Sequence, residues 1–309
     1  MSFSTLTQFD RGAIYHLLNI GYSQNKIASA LNVSKSTISY ELKRVQPYNP
    51  ILAQADAEQQ RHHSGRKSIL TPMLKRLIEN HLRLTHSPDE VAHELRLCTS
   101  SIYNWIYSGQ INFKAEQLPD KGQRHKHQDE RRGSFQVGKT IENRPQAIND
   151  RSEFGHWEMD TVLSSRGGSK TCLATFVERK SRLVWMIKIP NRSQNAMNNA
   201  IETFIRTFGP AVKSFTADHG KEFSGYQLIE DTYQREVYFC HPYSPWERGT
   251  NEYFNRKIRW FFPKKTNFAK VTEESIIEAT ELINNRPLKI LNWKTAIETF
   301  RELFSKCSN

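Results

Sequence analysis

Residues 156–164 read HWEMDTVLS, a β-forming run in which an aspartate, Asp160, is set among Trp157, Met159, Val162 and Leu163. Two further runs, TCLATFVERK at 171–180 and RLVWMIKIP at 182–190, are also rich in β-branched and aromatic residues and read as strands. The period then changes, because in SQNAMNNAIETFIRTFG at 193–209 Met197, Ile201, Phe204 and Phe208 recur at helical spacing. AVKSFTAD at 211–218 is a fourth strand that stops at Asp218, and EVYFCHPYS at 236–244 a fifth after a helical connection. That order predicts an α/β layer.

Two acids stand out against this pattern. A carboxylate inside an apolar strand is costly unless it is paired, protonated or bound to a metal, and no lysine or arginine lies beside Asp160 in sequence. If Asp160 and Asp218 lie on neighbouring strands, each raises the pKa of the other, and a divalent cation relieves the conflict. TNEYFNRKIRWFF at 250–262 reads as a helix with Phe254, Ile258 and Phe261 as its buried stripe. Its other stripe, Glu252, Arg256 and Arg259, brings a third carboxylate and two cations for phosphates. Oxygen-only ligands select hard cations, Mg²⁺ or Mn²⁺, and two such ions about 3.5–4 Å apart suit an in-line phosphoryl displacement. DNA strand cleavage and joining is the reaction expected. Taken singly, Asp160 could be a satisfied buried acid, Asp218 a turn former and Glu252 a helix-end charge.

The N-terminal part repeats itself weakly with an offset of 64, pairing Ile27 with Val91, Ala28 with Ala92, Leu31 with Leu95, Val33 with Leu97 and Ile38 with Ile102. Ser23 and Ser87 match as N-caps, the second followed by Pro88. In SQNKIASALNVSKSTISYELKR at 23–44 a short helix breaks near Asn32 and a second runs from about Lys35, with Ala28 where the helices cross and Val33, Ile38 and Leu42 facing inward. This helix-turn-helix pattern leaves Ser34, Lys35, Ser36, Ser39, Tyr40 and Lys43 outward, where they can meet base edges and phosphates. The second copy, SPDEVAHELRLCTSSIYNWIYSG at 87–109, offers Thr99, Ser100, Ser101 and Asn104 without a lysine, and packing or dimerisation is as open to it as DNA contact. Residues 110–150, dense in charge, Gln and His, read as a linker.

The expected organisation is therefore multidomain: all-α helix-turn-helix units at 1–48 and 66–109, the linker, and an α/β catalytic domain at 151–305. With 309 residues and a net charge of +12, the chain suits a nucleic-acid partner, although an anionic membrane surface would also accept it. It has no apolar run long enough to span a bilayer, and its first residues lack a signal-peptide stretch, so a cytoplasmic location is expected. Cys98, Cys172, Cys240 and Cys307 are too scattered for a CxxC pair, and His62 and His63 have no cysteine pair nearby, which disfavours a zinc finger.

GHWEMDTV, LATFVERKSRL, FTADHGKEF, YSPWERGTNEYFNRKIRWFFPK and NNRPLKILNWKTAIETF, in this order over most of 151–300, resemble the insertion-sequence-30 family of bacterial transposases. The spacing agrees, with 33 residues between Asp218 and Glu252. The resemblance implies a ribonuclease-H-like integrase core with a mixed five-stranded sheet, and Asp160, Asp218 and Glu252 as the metal-binding catalytic triad. It also implies that the N-terminal units bind the terminal inverted repeats of a mobile element, that target DNA is the second substrate, and that the protein acts as at least a dimer bridging two ends. His219 departs from the family pattern, which usually has Asn beside the second aspartate, and this bears on activity. The 284–300 segment is expected to pack a final helix, with Pro287 and Trp293 fixing its approach. Two alternatives share the architecture: an inactive DNA-binding regulator, and a nuclease without a joining step. A retroviral-type integrase is disfavoured because an HHCC zinc module has no counterpart.

Overall fold

Thr7 starts the first helix, α1 (Gln8–Asn19), through a reciprocal cap. Its hydroxyl accepts from the Asp10 N–H at 3.2 Å and the Asp10 carboxylate accepts from the Thr7 N–H at 2.7 Å. The computed structural model describes residues 5–63, 68–118, 138–165, 167–241 and 244–307. The chain divides into two compact units, Met1–Thr71 and Pro72–Asn309.

In the first unit α1 is followed by α2 (Gln24–Ala30), α3 (Lys35–Leu42) and α4 (Pro50–His63). Leu6, Ile14, Ile27, Ala28 and Ile38 are buried together, with Val33 and Leu42 half-buried against them. Asn32 turns the chain between α2 and α3 with a φ of 52°, the left-handed conformation expected of it. Periodicity did not reveal Glu41, which is buried on α3 and accepts from Arg11 Nε at 2.7 Å and Nη2 at 3.1 Å. A carboxylate can be buried there because the planar guanidinium satisfies both of its oxygens. Ser34 is an N-cap as well as a candidate DNA contact, its hydroxyl accepting from the Thr37 N–H at 3.1 Å. Ser34→Ala should therefore destabilise this unit by about 0.5–2 kcal/mol without DNA present. A urea midpoint equal to wild type would remove the capping role.

The second unit begins with α5 (Pro72–Arg83), α6 (Pro88–Glu94) and α7 (Thr99–Tyr107). The offset of 64 extends to the backbone: Arg96, the counterpart of Asn32, is also left-handed, with a φ of 53°. Ser87 forms a full capping box with Glu90, whereas the Ser23 side chain makes no capping bond. These helices belong to the same compact unit as the sheet that follows them. Arg286 Nη2 donates to the Leu84 carbonyl at 3.2 Å, His93 stacks on Trp293 at 4.1 Å, and Lys257 lies 3.9 Å from Glu90. The linker expectation for 110–150 needs correction at both ends. Ile111 and Phe113 are buried, Lys139–Thr140 form a short strand β1, Gln146–Asn149 form α8, and Ile148 is buried. A few apolar anchors suffice to order these ends, and residues 119–137 lie outside the described ones.

The remaining elements are β2 (His156–Leu163), β3 (Cys172–Glu178), β4 (Val184–Ile189), α9 (Gln194–Phe208), β5 (Ser214–Ala217), α10 (Tyr226–Tyr233), β6 (Glu236–Phe239), α11 (Gly249–Phe261), α12 (Glu273–Asn284) and α13 (Ala296–Cys307). They build a six-stranded sheet of order β1-β6-β5-β2-β3-β4. The sixth strand is β1, two exposed residues paired to β6, too short for any sequence period to betray. The other five are those expected: β2, β3 and β4 run antiparallel, while β5 and β6 join β2 in parallel. This is the mixed ribonuclease-H-like arrangement.

Alternation along β2 sends side chains to two cores. Trp157 and Met159 join Phe176, Phe204 and Phe215 on one face, where the Phe176 and Phe204 rings stack at 4.2 Å. Val162 joins Leu173, Phe254 and Ile258 on the other. The stripe of α11 differs by one position from expectation, since Phe262 is buried and Phe261 only half-buried. All four cysteines are free, and the side chains of His62 and His63 lie outside the described ones. No helix among the described residues is long and apolar enough to cross a membrane.

Candidate active site

The parallel register of β2 and β5 brings the two aspartates together. Glu158 pairs with Thr216, so two residues further along Asp160 and Asp218 come level where β5 ends. A guanidinium joins them: Arg248 Nη2 donates to Asp218 Oδ2 at 2.9 Å, and Nη1 lies 3.4 Å from Asp160 Oδ2. Nη1 also donates to the Met159 carbonyl at 3.1 Å. No lysine or arginine lies beside Asp160 in sequence, and its cationic partner arrives instead from the turn before α11. Burial works against the Arg248 charge, but the two carboxylates outweigh it and raise its pKa. Burial pushes the Asp160 carboxyl up, Arg248 holds it back, and the Asp218 charge adds to the rise.

Arg248, Glu252, Asn255 and Arg259 follow one another at helical spacing and form one stripe. Asn255 Nδ2 donates to Asp160 Oδ2 at 2.9 Å, and Arg259 Nη2 to the Leu163 carbonyl at 2.8 Å, so the stripe runs along β2. Glu252, on this stripe between Arg248 and Asn255, is exposed. Arg256 is exposed too, while Arg259 is half-buried and committed in part to the end of β2. The close cluster of potential metal ligands among the described residues lies elsewhere, at His81, His86 and Glu94. A cation already sits between Asp160 and Asp218 in the form of the Arg248 guanidinium. The carboxylate pair therefore fits a hard divalent ion, provided that Arg248 yields its place.

Three residues that sequence reasoning missed hold this arrangement. Glu158, two positions before Asp160 on the same face, is fully buried, pairs with Arg179 and accepts the Asn251 N–H at 2.9 Å, which fixes the first turn of α11. Glu222, four residues after Asp218, is buried and accepts from Thr161 Oγ1 at 3.0 Å and from Arg192. Arg248 is the third. Only Glu158 had a signal, as a second acid in the strand that carries Asp160. His219 packs its ring 5.0 Å from that of Phe239, and burial lowers its pKa.

Of the candidate DNA contacts in the first unit, Ser34, Lys35, Ser36, Tyr40 and Lys43 are exposed and Ser39 is half-buried. In the second copy Ser100 and Asn104 are exposed, and Thr99 and Ser101 half-buried.

Residues 150–245 match the model of the integrase core domain, and residues 2–45 that of a helix-turn-helix domain. The chain is 31% identical over 320 residues to the transposase InsI of insertion sequence element IS30A from Escherichia coli K12, covering 95% of this chain and 82% of that protein. It is 30% identical over 326 residues to the transposase of insertion sequence element IS4351 from Bacteroides fragilis, covering 98% and 97%. A solved catalytic core domain of BIV integrase aligns with a TM-score of 0.42 at 19% identity, over 51% of this chain and 100% of that one.

Proposed function

Because the chain belongs to the insertion-sequence-30 family of transposases, with its helix-turn-helix and integrase core domains, we propose that it cuts DNA at the ends of its own element and joins them to a target. The observation that carries this is the β2–β5 register, which sets Asp160 and Asp218 on a single cation beside the helix stripe bearing Glu252. Asp160, Asp218 and Glu252 would hold two Mg²⁺ or Mn²⁺ ions, which when bound supply charge for the attacking and leaving oxygens. Glu158 and Asn255 orient the helix and Asp160 respectively. Arg248 neutralises the acid pair, and its guanidinium would be free to meet a phosphate if ions took its place between the two carboxylates. Metal-dependent cleavage of DNA carrying the element ends tests the reading.

The first helix-turn-helix would read the terminal inverted repeats with α3, through Ser36, Ser39 and Tyr40 at bases and Lys35 and Lys43 at phosphates. Ser100, Ser101 and Asn104 on α7, and Arg256 and Arg259 on α11, would extend the DNA path. At least two copies would bridge two ends, acting in the cytoplasm on nucleoid DNA. Counterion release then dictates that affinity falls steeply with salt. Lys35→Ala combined with Lys43→Ala should reduce the slope of log K against log salt by about 2, roughly one per phosphate contact. Fluorescence anisotropy at graded salt measures it, and an unchanged slope removes these lysines from the backbone contacts.

A further inference from the structure

The corner between α5 and α6 gathers three side chains that the transposition reading does not use. Two residues past the end of α5, Thr85 is in the left-handed region, at a φ of 70°, and the His86 N–H donates back to the His81 carbonyl at 3.0 Å. This return folds His86 over His81, their rings 5.2 Å apart and edge-on. Glu94, in the last turn of α6, meets both: its Oε2 is 2.8 Å from His81 Nδ1 and 3.3 Å from His86 Nδ1. Yet both Nδ1 atoms are buried and in neither case does the geometry make a hydrogen bond. Two imidazole nitrogens and the one carboxylate oxygen that faces both thus converge, and these atoms all lie within 4.8 Å of one another.

Metal–ligand distances of about 2.0–2.1 Å around a tetrahedral ion put neighbouring ligand atoms roughly 3.3 Å apart, near the 2.8 and 3.3 Å that separate Glu94 Oε2 from the two Nδ1 atoms. We propose that His81, His86 and Glu94 form a second cation site, for a borderline divalent ion such as Zn²⁺, with solvent at the fourth position. Its chemistry differs from that of the carboxylate site: two nitrogens and one oxygen favour Zn²⁺ over Mg²⁺. Arg286 repels a cation here, which makes the anionic Glu94 a necessary ligand. Arg286 also donates to the carbonyl of Leu84, between the two histidines, so an ion would stiffen the corner by which α5 and α6 hold to the C-terminal part of the unit.

The test uses untagged, chelator-stripped full-length protein carrying Asp160→Asn, which weakens the oxygen site. One equivalent of Zn²⁺ should bind, resist excess Mg²⁺, and show two imidazole nitrogens by X-ray absorption. His86→Gln or Glu94→Gln should weaken binding by more than the roughly 10–100-fold that loss of an outer-sphere partner costs. His125→Gln with His127→Gln, in the histidine-bearing 121–150 segment, should leave binding unchanged. Absence of a stoichiometric ion, or retention of it in the His86 and Glu94 variants, overturns the site. Should those variants fail to fold, an absorption spectrum without two imidazoles, or loss of binding in the His125/His127 variant, overturns it equally.

Discussion

Glu252→Gln should bind element-end DNA as well as wild type and cut it on the order of 10³-fold more slowly, or not at all, in Mg²⁺ or Mn²⁺. The substitution keeps shape and hydrogen bonding on the α11 stripe while removing the charge that would ligate a cation. Glu252 is exposed, so no stability change should confuse the reading. The Arg248 contacts to Asp160 and Asp218 remain, and with them the local geometry of the acid pair. EDTA should abolish wild-type cleavage to the same extent. If the variant cuts at the wild-type rate, Glu252 is only a charge near a helix N-terminus. If neither cuts while both bind the ends, the DNA-binding regulator becomes the better account.

The second large effect concerns Glu158. It is a carboxylate among arginines, paired with buried Arg179 and close to buried Arg144 and Arg182 and half-buried Arg151. Burial, with the Arg179 charge behind it, lowers Arg144 to about 10, and the Glu158 charge works against that fall. Glu158→Ala leaves the Arg179 guanidinium buried with only the Ile148 carbonyl, which accepts from its Nε at 3.1 Å. It also deprives the Asn251 N–H of its acceptor. Breaking a buried pair in this one-sided way costs roughly 3–5 kcal/mol, a large share of the roughly 5–15 kcal/mol that holds a typical protein folded. Urea unfolding followed by tryptophan fluorescence reports it, since Trp157 is the neighbour of Glu158 on β2. A midpoint matching wild type would mean that Arg179 finds another partner. Replacing Glu158 and Arg179 together by leucine and methionine should recover much of the loss, because neither charge is then stranded.

Much of this protein was legible from local pattern. Alternation and β-branched composition located β2 to β6, helical spacing located α9 and α11, and the offset of 64 carried even the left-handed turn from Asn32 to Arg96. The candidate acids stood out for a related reason: a charge inside an apolar strand, or at its end, breaks a period, and a broken period can be seen one residue at a time. What tertiary structure alone decided lacks any period. Arg248 reaches Asp218 across 30 residues, Arg11 reaches Glu41 across 30, and Asn251 reaches Glu158 across 93. Ion pairs are selected by the distance between two side-chain tips after packing, and neighbours in sequence carry no trace of it. The same holds for β1, whose two residues form a strand only because β6 presents an open edge, and for Ile111 and Phe113, buried from a polar segment because a core was there to receive them. The sequence alone thus determined the elements and the unusual charges within them, since both follow from backbone geometry and burial. Which charges meet was left to the packed chain, because Coulomb energy depends on separation in space.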